Sequence, residues 1–142
     1  MIIKLILLLM AALILTGCSV GQIMDGPDMV RTPEYTQIDQ KTANEMMTQD
    51  DGHIIVDVRR QDEYDTGHIP GAICIPNESI GQEPPAELPD KDQVILVYCR
   101  SGRRSKEAAQ KLANMGYINV YEFGGIIDWT GEVVTDAPAS GS

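Results

Sequence analysis

An α/β fold, built on a mainly parallel sheet with helices on both faces, is what this 142-residue sequence predicts. Two observations lead to it. Residues 53–58 and 94–98 read as continuous apolar strands rather than alternating ones, the pattern of strands buried on both faces. Between and beyond the strands lie segments with helical apolar spacing, and strands alternating with amphipathic helices imply a parallel sheet.

Each element has its own signal. Asp39 is a good N-cap, and Ala43, Met46 and Met47 behind it share one helical face, so a helix is expected there, with the methionines as core. Asp50-Asp51-Gly52 turns the chain into the strand 53–58. Ile73-Cys74-Ile75 reads as a short strand between Gly71 and Pro76, and residues 77–92 as a Pro- and Glu-rich loop. The run 94–98 is the most apolar strand of the chain. Ala108, Leu112 and Met115 define the face of a second helix, which Gly116 stops as its C′ residue. Residues 118–121 close the pattern as a further strand. No internal repeat is present.

Composition narrows the class. The chain is 43% apolar with one Phe and one Trp, so it supports a single, mostly aliphatic core. Its 21 acidic and 11 basic residues give a net charge of −10, which argues against nucleic acid as a partner.

The N-terminus reads as an address rather than as fold. Lys4 precedes 11 uninterrupted apolar residues, 5–15, fewer than the roughly 20 that a membrane-spanning helix needs. A secretory signal over residues 1–17 is the better reading. Leu15-Thr16-Gly17-Cys18 resembles the lipobox of bacterial lipoproteins, which implies cleavage before Cys18 and a diacylglycerol on its thiol; the alternative is an ordinary signal with a chance cysteine. The resemblance implies an extracytoplasmic protein held by lipid at a bacterial membrane. Residues 18–35 are then the lipidated cysteine and a tether, 36–135 the folded domain, and 136–142 a tail.

Chemistry is expected where the strongest strand ends. Cys99 follows residues 94–98, with Ser101, Gly102 and Ser105 ahead of the helix proper. In open α/β sheets, ligands bind beyond the carboxyl ends of the strands. A loop between a strand and a helix N-terminus turns backbone N–H groups inward, making a nest for an anion. Arg100, Arg103, Arg104 and Lys106 fall within seven residues, although the rest of the chain after Cys18 is strongly acidic. Amides, helix dipole and guanidinium groups all favour negative charge at this cysteine. The competing reading is a buried structural cysteine beside a solvated helix start.

Cys99-Arg100-Ser101-Gly102-Arg103-Arg104 resembles the six-residue active-site loop of rhodaneses, the thiosulfate and related sulfurtransferases. Residues 55–59 resemble the family's Asp-Val-Arg segment, 67–72 its Gly-His-Ile-Pro-Gly-Ala turn, and 124–129 its Gly-Gly…Trp segment, in order and at the right spacing. The resemblance implies a five-stranded, mostly parallel sheet with helices on both faces. It implies that Cys99 is the nucleophile and carries a sulfane sulfur as a persulfide. Amides of residues 100–104 would steady the terminal sulfur, with Gly102 permitting the turn. Arg100, Arg103 or Arg104 would hold a small anionic donor, and a thiol or cyanide would take the sulfur. Asp57 and Arg59 would buttress the loop; their alternative is a turn ion pair remote from chemistry. His68 is expected to be structural. No Cys/His spacing suggests a metal, and no cofactor is expected.

Other classes remain in view. Related phosphatases and arsenate reductases use Cys-x5-Arg, but residue 105 is Ser and Arg104 comes one position early, which disfavours them. A non-catalytic binding module would normally lack the nucleophile. A thiol-redox role through Cys74 and Cys99 stays open, because an exported site faces an oxidising compartment.

Overall fold

In a computed structural model of the chain, residues 32–136 are described. The expected signal segment, Cys18 and most of the tether lie outside them, as do residues 137–142. Among the described residues no helix is long and apolar enough to cross a membrane.

Five strands form one sheet: β1 (Thr36–Gln37), β2 (Ile54–Asp57), β3 (Ile73–Cys74), β4 (Ile95–Cys99) and β5 (Val120–Gly125). Their spatial order is β1-β5-β4-β2-β3, and every pairing is parallel. β4 therefore lies at the centre, with all five residues buried. Three helices cover the sheet: α1 (Gln40–Met47), α2 (Gln61–Thr66) and α3 (Arg103–Asn114).

Strand alternation divides the core in two. Val56, Val58, Ile95, Val97, Cys99 and Val120 pack with Ala108, Ala109 and Leu112 of α3. Ile55, Leu96, Tyr98 and Phe123 face the other way, against Ala43 of α1, with Met46, Met47 and Tyr64 at their margin. This double burial is why the strands are apolar at every position rather than at every second one.

Helix ends follow local chemistry. Asp39 caps α1, its side chain accepting from Thr42 N at 2.7 Å. Gly116, at φ 97°, occupies the left-handed C′ position after α3. In α2, the Glu63 carboxylate accepts from Arg60 N at 3.0 Å.

Several elements differ from the sequence reading. Ser105 lies inside the first turn of α3, not ahead of it. The last strand starts at Val120 and continues through Glu122 to Gly125, because its pairing with β1 and β4 overrides an unfavourable composition. The edge strand β1 and helix α2 have no counterpart in the sequence reading: β1 is two exposed residues, and α2 lacks an apolar period.

Candidate active site

Cys99 is the last residue of β4, at the carboxyl end of the central strand, and only 1% exposed. Residues 100–102 turn the chain directly into α3. Gly102 is the N-cap at φ 108°, a backbone region that L side chains avoid. This conformation aims Gly102 N at Cys99 Sγ, at 3.0 Å. Ser105 Oγ, one turn into α3, stands 3.4 Å from the same sulfur. The sulfur thus sits in the opening of a 12-residue helix, where unpaired amides and the helix dipole favour negative charge.

The segment behind the loop is shaped to it. The β4–β5 register shifts between Val97 and Cys99, so that Val97 faces Glu122 while Cys99 faces Gly125. One extra residue on β5 makes a bulge, and bulges re-aim a strand end beside a site. Gly125 then lies so close to the loop that a Cβ there would fall onto the Arg100 carbonyl and 2.6 Å from Ser101 Cα. Ile127 N donates to the Arg100 carbonyl at 3.2 Å, and Gln40 of α1 donates to the Gly125 carbonyl at 2.8 Å. Gly124-Gly125, noted in the sequence only as a motif, is the floor of the loop.

The basic residues take different stations. A polar cleft of about 490 Å³ is lined by Arg100, Ser101, Arg103 and Arg104 together with Arg60, Glu63 and Glu78. Arg100 and Ser101 are exposed. Arg103 is 83% exposed and reaches only Glu107, at 4.0 Å. Arg104 is engaged elsewhere: its two terminal nitrogens donate to both oxygens of Glu63, at 2.7 and 2.9 Å. This pair fastens α3 to α2 and makes Arg104 a wall of the cleft, whereas Arg100 and Arg103 are exposed on it.

The Arg104 pairing has a pH signature. Hydrogen bonding to Arg104, opposed by burial and reinforced by the Arg60 amide, brings the Glu63 carboxyl down from 4.5 to about 2. A carboxyl lowered on folding stabilises the fold above its unfolded value, and that stability is lost as pH falls through the folded one. Denaturant melts of the protein should therefore lose stability between pH 4.5 and about 2. Glu63→Gln should cost about 1 kcal/mol at neutral pH and flatten that acid limb. An unchanged acid limb in the variant would show that the pair does not hold in solution.

Asp57 and Arg59 form a buried pair at the end of β2. Arg59 Nε and Nη2 donate to Asp57 at 2.6–3.0 Å, and Nη2 also donates to the Gly67 carbonyl at 2.7 Å. Burial is the largest single influence and works against the Arg59 charge, but the hydrogen bond and charge of Asp57, helped by Tyr98 and Glu63, together outweigh it and raise the guanidinium pKa. Arg59 also lies 5.9 Å from the centre of the Tyr98 ring. The pair's hydrogen bonds run to the turn at Gly67, and it meets the residue before Cys99 rather than the loop itself. His68 stacks on Tyr64, donates from Nδ1 to the Tyr64 carbonyl at 3.0 Å, meets Asp136 through Nε2 at 3.3 Å, and bridges to Val134 through its backbone. Its partners are those of a structural residue.

Cys74 and Cys99 are both free thiols. Asp57 pairs with Cys74 on one side and Tyr98 on the other, so two strand spacings of about 4.8 Å separate the Cys74 and Tyr98 backbones. Disulfide geometry allows at most about 7 Å between Cα atoms. Burial, then the Asp57 carboxylate, pushes the Cys74 thiol up to about 11, which disfavours its thiolate near neutral pH. In this arrangement a Cys74–Cys99 disulfide would require the sheet edge to move.

Sequence reasoning missed Glu122. Completely buried in β5, it accepts from Ser105 Oγ at 2.6 Å and from Gly124 N at 2.8 Å. A second cavity, about 330 Å³, is lined by α1 residues, His53 and Trp129, and by none of the loop.

Comparison with known proteins agrees with this geometry. The chain is 38% identical over 73 residues to thiosulfate sulfurtransferase PspE of Escherichia coli, a match covering 51% of this chain and 70% of that protein. It is 34% identical to the putative sulfur carrier protein YrkF of Bacillus subtilis, over 68% of this chain and 51% of the relative. It is 35% identical to tRNA uridine(34) hydroxylase of Photorhabdus laumondii, of whose length it spans only 30%, with 72% of this chain covered. Among solved structures, an E. coli rhodanese with anions superposes at a TM-score of 0.54 and 35% identity, over 58% of this chain and 98% of that one. A rhodanese-like domain protein of Staphylococcus aureus superposes at 0.62 and 25% identity, over 72% and 99%. The profile of the Rhodanese-like domain matches residues 39–132, from the cap of α1 to past the floor of the loop, and the chain belongs to that family.

Proposed function

We propose that this protein is a sulfurtransferase that takes a sulfane sulfur from thiosulfate, or a related small anionic donor, onto Cys99 and passes it to a thiol or cyanide. The observation that carries this reading is the sulfur of Cys99, held at 3.0 Å by Gly102 N in the opening of α3, beside a cleft lined by guanidinium groups. In the forward step the Cys99 thiolate attacks the outer sulfur of thiosulfate. An S–S bond to Cys99 forms, the old S–S bond breaks, and sulfite leaves with its electron pair. Arg100 and Arg103 are the side chains placed to receive the donor's charge, and loop amides stabilise the terminal persulfide sulfur. The likeness to a thiosulfate sulfurtransferase supports the class, and the lipobox-like Cys18 extends the proposal to a site held by lipid on the outer side of a membrane.

Intact-mass measurement tests it. The purified chain incubated with thiosulfate should gain one sulfur atom, removable by cyanide and mapped to the Cys99 peptide. Loading from polysulfide but not thiosulfate would reassign the donor. A chain that loads from neither is not a sulfurtransferase. Hydrolysis of aryl phosphates should stay at background.

A further inference from the structure

Glu122 is the least explained group near the loop. Its side chain is fully buried in β5, Oε1 accepts two hydrogen bonds, and Oε2 has no partner among the described residues. A buried carboxylate with an unsatisfied oxygen is costly. An amide could accept from Ser105 and Gly124 equally well; what it could not do is take up a proton.

The neighbouring atoms form a line. Cys99 Sγ lies 3.4 Å from Ser105 Oγ, and Ser105 Oγ lies 2.6 Å from Glu122 Oε1. A serine hydroxyl has one hydrogen and two lone pairs. With its hydrogen on the shortest contact, to Glu122, Ser105 presents a lone pair to the Cys99 S–H. No ion pair among the described residues involves Glu122. The groups around it are the Ser105 hydroxyl from α3, the Gly124 amide from β5 and, through Ser105, the Cys99 thiol from β4; β1 brings Gln37 into register with it.

We propose that Glu122 holds the Cys99 proton, passed through Ser105, while Cys99 carries sulfur. The Cys99 S–H bond breaks, its proton goes to Ser105 Oγ, and the Ser105 proton goes to Glu122 Oε1, leaving a thiolate beside a neutral carboxyl. The charge has moved and not increased, so the buried site never carries two negative groups at once. The thiolate then attacks the donor as above. When an acceptor thiolate takes the outer sulfur, Cys99 departs as a thiolate and recovers its proton by the reverse path. Glu122 acts through Ser105 and is a positioning residue; it does not meet the donor. The sulfur-transfer half of this cycle rests on the function proposed above, whereas the proton path does not.

Thiolate absorbance in the ultraviolet, taken for the full chain as the difference from its Cys99→Ser counterpart, tests the path without any donor. Two groups sharing a proton titrate in two macroscopic steps. The unaltered protein should therefore keep a plateau of thiolate across about two pH units below its final rise. Glu122→Gln retains the shape and the acceptor but cannot take the proton. Its thiolate signal should fall about tenfold per pH unit with no plateau. Ser105→Ala leaves the carboxyl in place and cuts the line, and should remove the plateau equally, so the test survives if one variant fails to fold. A plateau persisting in either folded variant, or none in the unaltered protein, overturns the proposal. Absent thiosulfate loading with the two-step titration intact would instead overturn the sulfurtransferase reading alone.

Discussion

Cys99→Ser is expected to abolish sulfur loading and to cut turnover with thiosulfate by at least about a thousandfold, the usual scale for losing a covalent nucleophile. Serine is close to cysteine in shape, and Gly102 N can still donate to its oxygen, so the fold should change by only about 1 kcal/mol. An alcohol, however, is not ionised near neutral pH and does not form the sulfur–sulfur bond on which the cycle depends. Steady-state rates and intact mass, with a thermal melt to confirm folding, settle the matter. Turnover within tenfold of the unaltered protein would mean that another group carries the sulfur.

Gly125→Ala is the second large effect. The backbone of Gly125 is extended, at φ −129° and ψ 151°, so alanine meets no conformational penalty there. The obstacle is steric: the new methyl group meets the Arg100 carbonyl and Ser101 Cα, which are backbone and cannot rotate away. Overpacking of side chains costs about 1–3 kcal/mol, and a backbone clash belongs at or beyond the upper end. The loop must lift, and with it the Gly102 amide that addresses Cys99. A displacement of about 1 Å at a reacting centre costs on the order of a hundredfold in rate. Gly81→Ala is the matched control, since nothing lies within 4 Å of its added Cβ. Equal stability and activity for the two variants would remove the floor from the account of this site.

How much of this could be read from sequence depended on range. β2, β4 and α3 announce themselves because burial on both sheet faces leaves long apolar runs and a clear helical stripe. The Asp39 cap is legible because its partner, Thr42, is three residues away. β1 is not, since two exposed residues gain strand character only by lying against β5. α2 is held by charge, through Glu63 to the Arg60 amide and to Arg104, and charge carries no period. The same contact explains Arg104. It looked like one of three equivalent cations of the loop, and only a partner 41 positions distant in sequence shows that its guanidinium is already paired. Glu122 was lost because a glutamate directly after the strand expected over residues 118–121 reads as its end. Its parity with Val120 in a parallel strand was the available signal that it points into the core.

The depth of Cys99 bears on a choice between two atoms. A persulfide presents two electrophilic sulfurs, joined by a bond of about 2.05 Å. Attack on the outer one transfers sulfur; attack on the inner one expels hydrosulfide and leaves the attacker tethered to the protein as a mixed disulfide. With Cys99 only 1% exposed and fenced by Gly102 and Ser105, the line of approach to the inner atom is closed from the cleft. The outer atom of the proposed persulfide would extend beyond that fence. On the proposed persulfide, shielding at the base of the loop would act as a regiochemical filter, keeping small thiols as recipients and preventing them from capping the site as mixed disulfides.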